Sequence, residues 1–120
     1  SVVANLETAA RLARVPAVDR SNAVARCLLD FGLTEHAQHR VDRLSGGLKR
    51  RTALACAVIH SPIVLVLDEP DAGLDALGRE ALVRTVEAVL QRRGTVILAS
   101  HASAWLQGLA TTTPRVEVCL

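Results

Sequence analysis

Ile63-Val64-Leu65-Val66-Leu67-Asp68-Glu69 is the stretch that decides the fold. Five apolar residues, rich in β-branched side chains, run without a polar break and then end in two acids. An apolar run of this length predicts a strand covered on both faces, as in a parallel sheet packed between helices. Downstream, residues 77–93 carry apolar side chains at helical spacing, with Leu82, Val86, Val89 and Leu90 on the inner side. Gly94 is placed to close that helix, and Thr95-Val96-Ile97-Leu98-Ala99 supplies a second apolar strand. Strand, helix, strand at these lengths predicts a βαβ unit with parallel strands and a right-handed crossover.

Upstream the periodicity is helical. A first helix is expected over residues 4–14, with Leu6, Ala9, Ala10 and Ala13 on one face and Pro16 as its stop. A second follows, capped by Asp19 or Ser21, with Val24, Cys27, Leu28 and Phe31 at i, i+3, i+4 and i+7. Gly32 then stands where a left-handed, helix-ending residue is wanted. Residues 34–43 are polar and read as a loop or short helix. A third helix opens at Ser45, runs through Ile59 and halts near Pro62. After the second strand, a short helix around residues 103–110 and a strand near 116–120 complete the chain. The expected division is a helical part over residues 1–61 and an α/β part over 62–120.

Composition bounds the function. The chain has 120 residues, half of them hydrophobic, with one Phe, one Trp and no Tyr. Its core must therefore come from Ala, Val, Leu and Ile, which suits helices on a parallel sheet. The formal net charge of +2 is too small to argue for nucleic acid or an anionic membrane surface. Aromatic platforms for stacking bases are missing as well, so no nucleic-acid partner is expected. The basic run Lys49-Arg50-Arg51 reads as a solvated helix face. Cys27, Cys56 and Cys119 lack any metal-binding spacing, and they read as reduced thiols. The longest nearly uncharged stretch, residues 52–67, is too short and broken to span a bilayer. The opening residues lack the pattern of a signal peptide.

Chemistry concentrates where strands end. In open α/β sheets, ligands bind outside the carboxyl ends of the strands. Asp68-Glu69 lies at one such end and Ser100-His101 at the other. A buried strand delivers Asp68 rigidly to the sheet edge, where a hard divalent cation can be held through water. Glu69 points elsewhere and can orient or deprotonate an attacking water. Before the third helix, Leu44-Ser45-Gly46-Gly47 combines a cap with two glycines that let backbone amides approach a phosphate at a helix start. Alone, Ser-Gly-Gly is a cap and turn, and acids end many strands because loops are polar. Their order and spacing together carry more.

These motifs resemble those of ABC-type ATPases. Leu44-Ser45-Gly46-Gly47 is similar to the family signature, and residues 64–69 to its Walker B strand with the catalytic glutamate. Ala72-Gly73-Leu74-Asp75 is similar to the D-loop, and His101 after Val96-Ile97-Leu98-Ala99-Ser100 to the switch histidine. The opening Val3-Ala4-Asn5-Leu6 is similar to the segment after the Q-loop. The resemblance implies a P-loop NTPase-like α/β fold, here a fragment without the Walker A half, with ATP and Mg²⁺ as cofactors. It implies that Asp68 holds the Mg²⁺ shell, that Glu69 is the general base, and that His101 contacts the γ-phosphate. By the same resemblance Ser45, Gly46 and Gly47 contact ATP bound to a partner ATPase subunit, and Asp75 ties the two subunits together. The helical part would dock transmembrane permease subunits, placing the protein in the cytoplasm on the inner face of the cell membrane. Within the family, exporter-type subunits of the ABC-2 and haem-exporter kind look most similar.

Two positions depart from the family pattern. Leu48 stands where Gln or Glu is usual, and Asp71 brings a further negative charge where Thr or Ser is common. No GxxxxGK[ST] motif occurs in these residues. Together with the opening in mid-motif, this reads as a fragment that binds ATP weakly by itself. The alternatives are a non-transport ABC ATPase of the translation-factor or DNA-repair type, or a non-catalytic dimerisation module.

Overall fold

The computed structural model describes residues 1–100. The expected helix over 103–110, the strand near 116–120, His101 and Cys119 lie outside the described residues. Within them, three helices and two short 3₁₀ turns precede a strand, a helix and a second strand.

Helix α1 (Val2–Leu12) starts earlier than its periodicity suggested, because the Ser1 side chain accepts a hydrogen bond from the Ala4 amide. The Val2 and Val3 amides, left over at the helix start, donate to the His39 and Ala37 carbonyls at 3.0 and 2.9 Å. Val2, Leu6 and Ala10, four residues apart, form its buried stripe. Helix α2 (Ala17–Asp30) is capped by neither Asp19 nor Ser21. It begins directly after Pro16, whose ψ of 140° already points the chain into the helix, and no side chain caps it. Proline's fixed φ makes this entry inexpensive. Asp19 lies in the first turn, where its charge faces the positive end of the helix dipole.

The end of α2 follows the sequence closely. Gly32 takes φ +59°, the Leu33 amide reaches back to the Leu28 carbonyl at 2.7 Å, and Gly32 donates to Leu29 at 3.0 Å. This paired closure is a Schellman motif. The polar stretch resolves into 3₁₀ turns at Thr34–His36 and Val41–Arg43. Helix α3 (Gly46–Val58) is capped by Ser45, whose Oγ accepts from the Leu48 amide at 3.3 Å.

Strand β1 (Val64–Asp68) and strand β2 (Thr95–Ala99) pair in parallel, with Val66 opposite Ile97 and Asp68 opposite Ala99. Helix α4 (Ala76–Gln91) connects them and buries Ala81, Leu82, Val86 and Val89. Its left-handed terminal residue is Arg93 (φ 60°), not Gly94. Gly94 serves close approach instead, since a Cβ there would lie 2.5 Å from the Ile63 carbonyl oxygen and 2.8 Å from that of Val89.

One core runs through both parts, joining Leu6, Val24, Phe31, Leu33 and Ile59 to Leu65, Leu67, Leu82, Val86, Val89 and Leu98. Among the described residues β1 is covered on one face only, where covering on both was expected. Leu65 and Leu67 are buried, while Val64 and Val66 are 58% and 66% exposed and Ile97 is 51% exposed. The register places Val66 and Ile97 on one face of the sheet, and among the described residues nothing layers over it.

Candidate functional site

Two groups of the sequence candidates form around separate helix and strand ends. At the carboxyl end of the sheet, exposed Asp68 closes β1 opposite Ala99. The next residue leaves the strand direction: Glu69 has φ 44°, a region that costs a non-glycine residue about 1–2 kcal/mol. Its amide donates to the Ala99 carbonyl at 2.8 Å, which fastens the turn to the end of β2. Its carbonyl accepts from the Ala72 amide at 3.2 Å and from Arg50 Nη2 at 3.1 Å. Buried Ser100 donates through Oγ to Asp71 Oδ1 at 2.7 Å. Asp71, expected to add charge beside a phosphate site, stands at this same end of the sheet and is held there by the residue that follows β2. A shallow cavity of about 180 Å³ opens beside Asp68, lined also by Arg50, Ala57, Val66 and Pro70.

The second group gathers at the start of α3. Ser45 is occupied with its cap, and Gly46 faces open space, with no heavy atom within 4 Å of where a Cβ would stand. A Cβ on Gly47 would lie 3.3 Å from Asp75 Oδ2. Thus Gly47 and Asp75, far apart in sequence, meet. Asp75 caps α4 by accepting from the Gly78 amide at 2.9 Å through Oδ1. Its other oxygen takes a 3.0 Å ion pair from Arg51 Nη2. The two groups are linked through α3 itself, which sends Arg50 to Glu69 and Arg51 to Asp75.

Arg51 is the residue that sequence reasoning missed. Lys49 and Arg50 are exposed, as a solvated face requires, but Arg51 is only 6% exposed. Its Nη1 also donates to the carbonyls of Phe31 and Gly32 at 3.0 and 3.1 Å. The available signal was spacing: Arg51 lies three residues after Leu48 and four before Ala55, on the apolar side of the helix.

Of the three cysteines, Cys27 and Cys56 are among the described residues. Cys27 is buried and Cys56 partly so, and neither is in a disulfide. Burial pushes the Cys27 thiol up to about 11, and burial raises Cys56 as well. Among the described residues no helix is long and apolar enough to cross a membrane, and no group of three or more metal-ligating side chains occurs.

Comparison with known proteins places these features. The chain is 44% identical over 81 residues to an aliphatic sulfonates import ATP-binding protein of Agrobacterium fabrum, covering 67% of this chain and 31% of that protein. It is 45% identical over 80 residues to a Nod factor export ATP-binding protein of Bradyrhizobium diazoefficiens, covering 66% and 26%. A linearmycin resistance ATP-binding protein of Bacillus subtilis matches at 40% over 77 residues, covering 64% and 25%. The matched part is thus about a third or less of the length of these curated relatives. The ABC transporter profile matches residues 2–72, more than half of the chain, and takes in both the start of α3 and the end of β1. An α/β chain with these motifs in this order and this match belongs to the ABC transporter family.

Proposed function

We propose that these residues are the signature-bearing part of an ATP-binding subunit that hydrolyses ATP to drive a substrate across a membrane. The observation that carries the reading is Asp68-Glu69 at the carboxyl end of a parallel strand, held to the end of the neighbouring strand by the Glu69–Ala99 hydrogen bond. Residues 1–61 form the helical unit and 62–120 the α/β unit.

The side chains present fit ATP and Mg²⁺. The exposed carboxylate of Asp68 offers hard oxygen donors of the kind Mg²⁺ accepts through its waters. Bound there, Mg²⁺ would supply positive charge to the β- and γ-phosphate oxygens. Glu69, turned out of the strand by its left-handed backbone, accepts a proton from the attacking water or orients it. His101 is assigned to the γ-phosphate by the motif order alone. Ser45, Gly46 and Gly47 present the amino end of a 13-residue helix, with open space at Gly46, to a nucleotide held by a second ATPase subunit. Asp75 beside Gly47 stands at that same interface.

The partners under this reading are a second ATPase subunit, identical or related, and transmembrane permease subunits, with the protein on the cytoplasmic side of the membrane. The relatives' names, import of aliphatic sulfonates and export of Nod factor, support transport over a translation or repair role. Import and export relatives match at 44% and 45%, so these residues belong to the shared engine rather than to direction or cargo. The 120 residues by themselves contain no GxxxxGK[ST] loop, and they are expected to bind ATP weakly and not to turn it over.

The test is Glu69→Gln in the full-length protein. Turnover should be abolished while ATP binding persists, read by phosphate release and by calorimetry. Hydrolysis at the wild-type rate would remove Glu69 from this role.

A further inference from the structure

We propose that Arg51 is a positioning residue through which the end of α2 sets the placement of Asp75, and with it the facing Gly47. The proposal rests on the reading of Gly47 and Asp75 as nucleotide-interface residues.

One guanidinium spans three elements. It starts from α3, holds the Phe31 and Gly32 carbonyls at the closure of α2 through Nη1, and holds the Asp75 carboxylate at the start of α4 through Nη2. The guanidinium is planar and its donors are fixed relative to one another. A shift of the α2 corner is therefore passed to Asp75 rather than absorbed, as a flexible ammonium would allow. The surrounding backbone leaves room for this cation and little else. A Cβ on Gly32 would come within 2.8 Å of Arg51 Nη1, and a Cβ on Gly78 within 3.1 Å of Arg51 Cγ and 3.0 Å of Asp75 Oδ1. On the far side, a Cβ on Gly47 would stand 3.3 Å from Asp75 Oδ2, the oxygen that Arg51 holds. Hydrogen bonds join Gly32 to Arg51 and Arg51 to Asp75, and Gly47 stands next in line beside Asp75.

Stability alone does not account for this arrangement. Burying the Arg51 guanidinium costs desolvation that its pairing with half-exposed Asp75 only partly recovers, and apolar residues often replace buried charges without loss. Here the cost is aggravated, because the buried Arg51 Nε has no hydrogen-bond partner among the described residues. What an apolar residue cannot do is hold two carbonyls and a carboxylate in one register. Asp75 keeps a side-chain exposure of 46%, so it remains accessible while being held.

Two measurements on the full-length protein decide the matter. In the first, Arg51→Met, Arg51→Lys, Asp75→Asn and the double variant Arg51→Met/Asp75→Asn are compared for ATP turnover, each at a temperature where thermal melting shows it folded. The expected result for Arg51→Met is a drop in kcat of roughly tenfold with little change in KM for ATP. Arg51→Lys should not restore kcat, since an ammonium cannot serve both ends. The double variant should be no worse than Arg51→Met, because the two residues act as one unit. Wild-type kcat in folded Arg51→Met, or losses that multiply independently, would overturn the proposal.

The second measurement needs no turnover. With ¹⁵N-glycine labelling, Asp75→Asn should shift the Gly32 amide resonance, and the shift should vanish in the Arg51→Met background. A Gly32 signal that ignores Asp75→Asn overturns the link. If wild-type protein hydrolyses no ATP, the parent reading has failed, and the Gly32 response still decides whether Arg51 joins the two elements.

Discussion

Replacing Gly46 by Ala separates the stability of α3 from its proposed work. Gly46 is the first residue of that helix, is exposed, and lies outside the left-handed region that glycine alone tolerates well. No heavy atom stands within 4 Å of the new methyl. The fold therefore loses no contact, while the unfolded chain loses conformational freedom, so the substitution should stabilise by about 0.5 kcal/mol. In a domain of a few hundred residues this raises the melting temperature by about 1–2 °C. Activity should move the other way. If the Gly46 amide meets a phosphate, the methyl occupies the approach and loses a charged hydrogen bond, roughly 1.5–3 kcal/mol. That corresponds to about a tenfold to hundredfold fall in kcat/KM. Thermal melting and steady-state phosphate release on the full-length protein measure both. A lower melting temperature would mean the glycine is structural. A raised melting temperature with unchanged turnover would mean that no phosphate approaches α3 here, and the reading of Ser45 to Gly47 would be lost.

Gly94→Ala should destabilise, because its methyl would meet two carbonyl oxygens and Val89 Cγ1 at 2.5–2.8 Å. The expected loss is about 1–3 kcal/mol in urea unfolding, and an unchanged midpoint would contradict the close approach of Gly94 to the Ile63 and Val89 carbonyls. Cys27 should resist alkylation by iodoacetamide at neutral pH in the folded protein and react readily once unfolded, since burial keeps its thiol protonated to about 11. The linkage has a definite sign. The folded pKa lies above the ordinary 9.0, so the Cys27 contribution is fully present below pH 9 and is lost as pH rises from 9 through 11. Alkaline melting of the protein should lose part of this slope in Cys27→Ala, and an identical slope in the variant would discount it.

What the sequence made legible follows from what periodicity measures. The Ser45 cap, the Gly32 closure and the strand pairing all depend on residues within a few positions or on strict alternation, and each matches the structure. That one face of β1 lies open among the described residues was not legible, because an apolar run states what a strand can tolerate and not which layer lies over it. Asp19 and Ser21 are both good capping types, yet α2 starts before either, because Pro16 sets the entry angle with its ring. Arg51 was hidden inside a basic run. Its burial depends on carbonyls 19 and 20 residues upstream and a carboxylate 24 residues downstream, which no local window contains. The Ser100–Asp71 hydrogen bond is likewise long-range, at a separation of 29 residues. Of the candidate site, the motif order gave Asp68, Glu69, the Ser45 to Gly47 segment and Asp75. It could not give the way α3 ties the two groups together.

The face of the β1–β2 pair that the described residues leave open bears on how they would behave as a separate piece. Among the described residues the sheet has only two strands, so each turns one rim of amides and carbonyls outward, beside the exposed Val64, Val66 and Ile97. Such a ribbon is a template for strand addition. Capture by another copy is a bimolecular event and quickens with concentration, whereas docking within one polypeptide does not. Handled as a separate piece, residues 1–100 would therefore self-associate more readily the more concentrated they are.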